Sequence, residues 1–330
     1  MLINKNYKNL KLKSWRMVTI ALTLLLSLSF IAGLFSACPA SDNGNNAPLT
    51  IIDQEGRTVT IANTPQKIIS LSPGNTELLY SLGLGDRIAG VTDFCNYPAE
   101  ALDKPKIGGF NTVDVEKVTE IGPDLILAGN IHVAEVVPAL EALGFTVVVL
   151  EPKTLDDVMG ALTLIGKIAD VEDAAKSLID DMRVRIKAIT DKTASLTEEQ
   201  KPRTLYLVWN NPLMSVGPDT IIHELIVLAG GKNIADVLGT GYPTISIEAV
   251  IVADPQVIIA SSGHGAGADT IYLFAKEDEL LADVSARING RVYGILADLV
   301  SRPSVRLVEG LELIAKIIHP EIFGEVGAWQ

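Results

Sequence analysis

A chain of 330 residues with 48% hydrophobic side chains has material for about two packed domains. Its formal charge is −13, yet the first 41 positions hold five basic residues (Lys5, Lys8, Lys11, Lys13 and Arg16) and no acidic one, so all 40 acidic residues fall in the remainder. A surface that acidic repels phosphate backbones, which excludes nucleic acid as a sensible partner and suits a small ligand or a basic protein surface.

The basic residues through Arg16 lead into MVTIALTLLLSLSFIAGLF and then Ser36, Ala37 and Cys38, the order of charged, apolar and small-residue regions in an export signal. The apolar run is also long enough to span a bilayer, as an uncleaved anchor would. A cysteine directly after Phe-Ser-Ala resembles a bacterial lipoprotein signal, in which Cys38 is lipidated and begins the mature chain. Phe35 stands where that motif usually has Leu. Residues 1–38 are therefore expected to be a signal peptide with a lipobox cysteine, and residues 39–48, PASDNGNNAP, a flexible tether. With Cys38 lipidated, only Cys95 remains, no internal disulfide can form, and stability has to come from packing.

From residue 49 onward, short buried strands alternate with amphipathic helices. LTIIDQEGRTVTI, around Glu55 and Gly56, is a hairpin signal. Strands are expected over 67–72, 87–92, 124–128 and 145–150, and helices over 75–82, 113–120, 133–143 and 154–169. Residues 171–200 contain neither Gly nor Pro, and Ala175, Leu178, Ile179, Met182, Ile186 and Ile189 recur at helical spacing. Asp170 is the expected N-cap, Pro202 the terminator, and the length is on the order of 40 Å. Such a helix belongs either to one domain or to a strut between two, and the pattern beyond it favours the strut. There, strands are expected over 203–209, 257–260 and 291–295, helices over 219–229, 246–253 and 305–318, and one further helix in the less regular region 261–290. The expected fold is α/β: two Rossmann-like lobes, residues 49–169 and 201–330, with parallel sheets covered on both faces and joined by a single long helix over 170–200.

VDVEKVTEIGPDLILA, residues 113–128, aligns without gaps on ISIEAVIVADPQVIIA, residues 245–260. Both read as a capped helix, a breaking Pro and a buried strand, a common unit in α/β chains. Beyond that shared rhythm, Glu116 and Glu248 occupy the same place, just inside the expected N-caps Asp114 and Ser246. A carboxylate at a corresponding spot on each lobe is a geometry that a two-fold partner could grip.

Motifs for chemistry are scarce. Ser261-Ser-Gly-His-Gly-Ala-Gly lacks the lysine of a phosphate-binding loop, and no G-x-S-x-G elbow occurs. His223-Glu224 begins like a zinc-protease helix, but position 227 is Val, and four scattered histidines argue against a three-His metal site. No enzyme is read from this chain. Aromatic and polar residues gather instead at expected strand ends: Phe94, Asn96 and Tyr97; Phe110 and Asn111; Trp209, Asn210 and Asn211; Tyr242; Asp298 and Arg302. Ligands of open α/β sheets bind beyond the carboxyl ends of the strands, and flat rings with a few polar groups suit a large planar ligand rimmed with amides. For any one ring, packing under a loop is the alternative.

At KIISLSPGNTELLYSLGLGDRIAGVTDFCNYP the chain resembles the substrate-binding proteins of ABC importers for cobalamin, haem and ferric siderophores. The likeness continues through GGFNTVDVEKV, PDLILAG, LEALGFTVVVL, SIEAVIVADPQVIIA and SRPSVRLVEGLELIAKIIHPE, from residue 49 to the end. SLSPGNTE, CNYP and GGF resemble the cobalamin branch more than the siderophore branch. The resemblance implies two lobes joined by one long helix, in a lipid-anchored monomer exported to the outer face of the cytoplasmic membrane or the periplasm. Such a protein captures a corrinoid such as cobalamin, with no cofactor and no resident metal, and delivers it to a dimeric ABC permease with its ATPase subunits.

By position, Glu116 and Glu248 match the carboxylates with which that family docks onto permease arginines. Phe94, Phe110 and Tyr242 match aromatic positions of the corrin cleft; the first and last differ in ring type from some members, and the second stands where a Trp is often found. Asp298 and Arg302 match a polar pair at the ligand's edge, and Met214 an apolar contact. Asn96, Asn111 and Trp209 are expected to complete the ligand shell. His264 is either a cobalt ligand or a solvated loop residue, and Cys95 a small buried side chain or a metal ligand. The rivals are a ferric-siderophore or haem receptor, a metal-dependent enzyme or metal chaperone on the same scaffold, and, with the apolar segment uncleaved, an anchored sensor subunit.

Overall fold

The computed structural model describes residues 48–263 and 270–326. The expected signal with Cys38, residues 39–47 of the tether, and His264 lie outside the described residues. The chain enters through an antiparallel hairpin of β1 (Leu49–Ile52) and β2 (Thr58–Ile61). Asp53 shapes its turn. One carboxylate oxygen accepts from the Glu55 and Arg57 amides at 3.1 and 2.8 Å, and the other accepts from Val149 N at 3.1 Å, tying the hairpin to the first sheet.

That sheet is built from β3 (Ile68–Ser70), β4 (Ile88–Val91), β5 (Leu125–Ala128) and β6 (Val147–Val149), all parallel, in the order β4-β3-β5-β6. The second lobe has β7 (Arg203–Leu207), a small hairpin of β8 (Trp209–Asn210) and β9 (Leu213–Met214), then β10 (Lys232–Asn233), β11 (Val257–Ser262) and β12 (Val292–Leu296). Its central sheet is also parallel and runs β10-β7-β11-β12. Both lobes therefore share one strand order. Alternate residues explain why both faces are covered. Ile68, Leu125, Leu127 and Val148 pack to one side of the first sheet, and Ile69, Ile126, Val147 and Val149 to the other. Tyr206, Val257 and Ile259 oppose Leu205, Leu207, Ile258 and Ala260 in the second. Strands apolar on both faces are the signature of parallel sheets sandwiched by helices.

The helices of the first lobe are α1 (Pro73–Ser81), α2 (Val115–Ile121), α3 (Val136–Ala142) and α4 (Leu155–Ala169), followed by the long α5 (Glu172–Thr193). The second lobe carries α6 (Ile221–Leu228), α7 (Ile247–Ala253), α8 (Thr270–Glu277), α9 (Ser285–Ile288), α10 (Ala297–Ser301), α11 (Leu307–Ile318) and α12 (Pro320–Phe323). The region expected to hold one helix thus holds two, α8 and α9. Neither α10 nor the two-residue edge strand β10 was anticipated, since so few residues carry no periodic signal. The duplicated unit is close in detail. Asp114 and Ser246 cap α2 and α7 by accepting from Lys117 N and Ala249 N at 3.1 and 3.2 Å, and both helices end on a left-handed residue, Gly122 (φ 61°) and Asp254 (φ 43°).

The long helix departs from expectation at both ends. Asp170 does not cap it; with φ 58° it ends α4, and Val171 precedes α5 without a side-chain cap. Asp tolerates the left-handed region through its short polar side chain, so it serves here as a stop. Nor does α5 run to Pro202: it closes at Thr193, and a separate 3₁₀ turn follows at Glu198–Gln200, started by Thr197. Its 22 residues span about 33 Å. It packs on α4 in the first lobe, and reaches the second through a paired contact of Arg185 with Glu312 on α11 at 2.8 and 2.9 Å and through Thr193 Oγ1, which donates to Leu228 O at 2.9 Å. Among the described residues no helix is long and apolar enough to cross a membrane.

The α4–α5 crossing is tight enough to predict. A Cβ on Gly166 would stand 2.8 Å from the Ala175 Cβ, below any ordinary contact. Gly166→Val is expected to destabilise the protein by about 1–3 kcal/mol, read as a lower midpoint in urea with an unchanged slope.

Candidate functional site

Loops beyond the carboxyl ends of the first sheet face one cleft of about 780 Å³, a volume in the range of small-molecule sites. After β3 come Ser72–Asn75, after β4 Phe94, after β5 Gly129–Ile131, and after β6 Leu150–Pro152. The segment leading into α2 adds Phe110 and Asn111. The second lobe closes the other side with Tyr242 and with Asp298, Ser301, Arg302 and Pro303, on and after α10.

Local sequence explains why these loops hold still. Ser72 caps α1, accepting from Asn75 N at 3.2 Å, and Pro73 begins the helix where a missing N–H costs nothing. Asn75 is buried and donates to Ala128 O at 3.0 Å, joining the loop after β3 to the end of β5. His132 is buried behind Phe110: its Nδ1 meets Gly129 N at 3.0 Å, its Nε2 meets Phe110 O at 2.8 Å, and the two rings stand edge-to-face at 5.4 Å. Phe110 is thereby held by backbone and ring alike. Glu151 accepts from Asn130 N at 3.0 Å, and Asn130 Nδ2 donates to Glu55 at 2.8 Å, so this end of the cleft is acidic and ordered by its own bonds.

Of the residues expected in the ligand shell, Phe94, Phe110, Asn111, Tyr242, Asp298 and Arg302 line the cleft together. Asn96, Trp209 and Met214 do not. Asn96 turns to Arg302, accepting from Nη1 at 2.7 Å. Trp209 and Met214 are cross-strand partners in the small hairpin, which forms because β7 ends at Leu207 and the chain doubles back; the indole N–H donates to Asn211 O at 2.8 Å within the turn. Cys95 is fully buried, with the Thr76 and Thr92 hydroxyls at 3.1 and 3.2 Å from its sulfur. Glu116 and Glu248 both lie exposed, in the second position of their helices. The Glu248 carboxyl is held below the usual carboxylate range by its own backbone N–H and by the Ser246 hydroxyl.

Ser72–Asn75 lie within SLSPGNTE, which carries the resemblance, but neither they nor His132 were expected at the site. A Ser-Pro-Gly turn directly after a buried strand marks a strand-to-helix crossing at a carboxyl end, and could have flagged the first. His132 carries no such signal.

Arg302 carries the electrostatics of the cleft. Nη2 pairs with Asp298 at 2.7 Å and reaches Phe94 O at 3.4 Å, while Nη1 contacts Asn96 and, at 3.2 Å, the buried carboxylate of Glu77. The four N–H groups on its two terminal nitrogens are thus matched by four acceptors. Burial raises the Glu77 carboxyl, more than its bond from Ser304 and the neighbouring Arg306 and Arg302 lower it. Among the described residues no group of three or more His, Cys, Asp or Glu side chains is arranged to hold a metal ion.

Two parallel-sheet lobes, a long helix between them and a ligand-sized cleft beyond the strand ends define the architecture of a solute-binding protein. A sequence model of that class, the periplasmic binding proteins, matches residues 68–299, and the chain belongs to this family. It is 32% identical to an ABC transporter substrate-binding lipoprotein of Bacillus subtilis, YvrC, over 92% of this chain and 97% of the relative. It is 30% identical to the vitamin B12-binding protein of Vibrio cholerae over 76% of this chain and 87% of that one. The crystal structure of the periplasmic vitamin B12-binding protein BtuF of Vibrio cholerae superposes with a TM-score of 0.67 at 29% identity, covering 80% of this chain and 99% of BtuF.

Proposed function

We propose that the protein captures a corrinoid of the cobalamin type in the interlobe cleft and delivers it to the permease of an ABC importer, held at the membrane by a lipid on Cys38. The observation that carries the ligand class is the charge of the cleft. Among the described residues its one lining cation, Arg302, is already matched by acceptors, whereas Glu151 and Asp298 add carboxylates. Haem propionates or an anionic iron chelate would enter without a free positive partner. A corrinoid presents neutral amides around its ring, and their N–H groups suit these acceptors. Phe94 and Phe110 from one lobe and Tyr242 from the other offer aromatic surface to a broad ring. Relatives named for vitamin B12 support the same choice.

Calorimetric titration with cyanocobalamin, dicyanocobinamide, haem and a ferric hydroxamate tests this reading. Saturable one-to-one binding of the corrinoids alone is expected, and Phe110→Ala should weaken it about ten- to a hundredfold, the worth of one buried aromatic side chain. Binding of haem or the hydroxamate in preference would overturn the corrinoid.

Docking is assigned to Glu116 and Glu248, one exposed carboxylate per lobe on equivalent helices, each to meet an arginine of one permease subunit. Such pairs act on encounter and register more than on raw affinity. Glu116→Ala combined with Glu248→Ala should abolish cellular uptake while corrinoid affinity stays at the wild-type value; loss of ligand binding in the double variant would contradict the assignment.

A further inference from the structure

Behind the cleft lining, the two lobes meet through a buried carboxylate that contacts no ligand surface. Glu77 lies on α1, its side chain 1% exposed, and its hydrogen-bond partners all come from the stretch Arg302–Arg306 of the other lobe. Ser304 Oγ donates to it at 2.7 Å, Arg302 Nη1 at 3.2 Å and Arg306 Nη1 at 3.4 Å. Both guanidiniums then return to the first lobe a second time. Arg302 bonds Asn96 and the Phe94 carbonyl, and Arg306 stacks over the Tyr97 ring at 3.9 Å from its centre. The backbones also touch here. A Cβ on Gly74 would stand 3.1 Å from the Pro303 Cδ and carbonyl oxygen, so a larger residue would push the lobes apart.

Stability does not explain this carboxylate. Burial raises its pKa, outweighing the pull of Ser304, Arg306 and Arg302 in the other direction. Buried ion pairs of this kind are weak stabilisers compared with packed apolar groups. What three converging donors do supply is direction, because they are satisfied together only at one placement of the lobes. We infer that Glu77 is a positioning residue, which with Arg302, Ser304 and Arg306 sets the placement of the two lobes beside the cleft and keeps the Arg302 charge matched inside the protein. The inference rests on the cleft being the ligand site. Without Glu77 the seam between residues 72–77 and 302–306 loosens, the binding-competent arrangement becomes a minority, and affinity falls by that fraction.

Amide hydrogen exchange on the ligand-free, full-length protein compares wild type with Glu77→Gln. Exchange at least tenfold faster and confined to residues 72–77 and 302–306 is expected, with both central sheets as protected as in wild type and cyanocobalamin bound about tenfold more weakly. Wild-type exchange at both segments would overturn the proposal whatever the affinity. Loosening spread over both sheets would overturn it too, making Glu77 an ordinary stability residue. Because the exchange is read without ligand, a wild type that binds no corrinoid sinks the assignment of the cleft and leaves the seam to be judged on exchange alone. Should Glu77→Gln fail to fold, Ser304→Ala deletes one bond and no charge; it must show the same local loosening to a smaller degree, and unchanged exchange in that variant overturns the proposal.

Discussion

Burying both faces of two short parallel sheets is the constraint from which the molecule follows. Apart from the two-residue edge strand β10, strands of three to six residues rich in Ile, Val and Leu cannot face water on either side, so each sheet needs helices above and below, and each return crossover must be one of them. That arrangement sends all strand carboxyl ends of a sheet in one direction. The loops there are free of the core and can carry rings and polar groups, and it is these loops that the first lobe turns toward the second. The α5 helix satisfies the same demand twice, covering part of each lobe with one apolar face.

The cleft is then defined more by what its charges have already met than by which charges are present. A cation at a binding site ordinarily invites an anion. Here Arg302 is shared among Asp298, Asn96, Glu77 and the Phe94 carbonyl, so it acts as a structural hub whose positive charge is matched inside the protein. The other groups that line the cleft are aromatic faces, carboxylates and neutral amides and hydroxyls. On the proposed reading, selectivity by charge depends on Glu77, a residue outside the lining, and on the same seam between the lobes.

Rhythm and local chemistry were legible in the sequence. The alternation of strand and helix, the hairpin at Glu55-Gly56, and the caps at Asp114 and Ser246 are local signals, and the structure has them where they were read. Errors arose where a neighbour decided. Asp170 has the chemistry of a cap at either end of a helix, and its left-handed φ of 58°, with its N–H on Gly166 O, makes it the end of α4. Trp209 and Met214 pair in a small hairpin outside the cleft lining, a closure that leaves no periodic trace in the sequence. The ring positions at strand ends followed from a rule of open sheets, and Phe94, Phe110 and Tyr242 do share one cleft. Glu77 sits in the most distinctive segment of the chain, yet its role was invisible there, since the partner Arg302 lies 225 residues away.

A crystal structure of the protein with cyanocobalamin would test the account most directly. The account predicts the corrin ring in the interlobe cleft against Phe94, Phe110 and Tyr242, its amides meeting Asp298 and Glu151, and Arg302 still bonded to Glu77. A corrinoid seated elsewhere, or an Arg302 that has left Glu77 to bind the ligand, would contradict it.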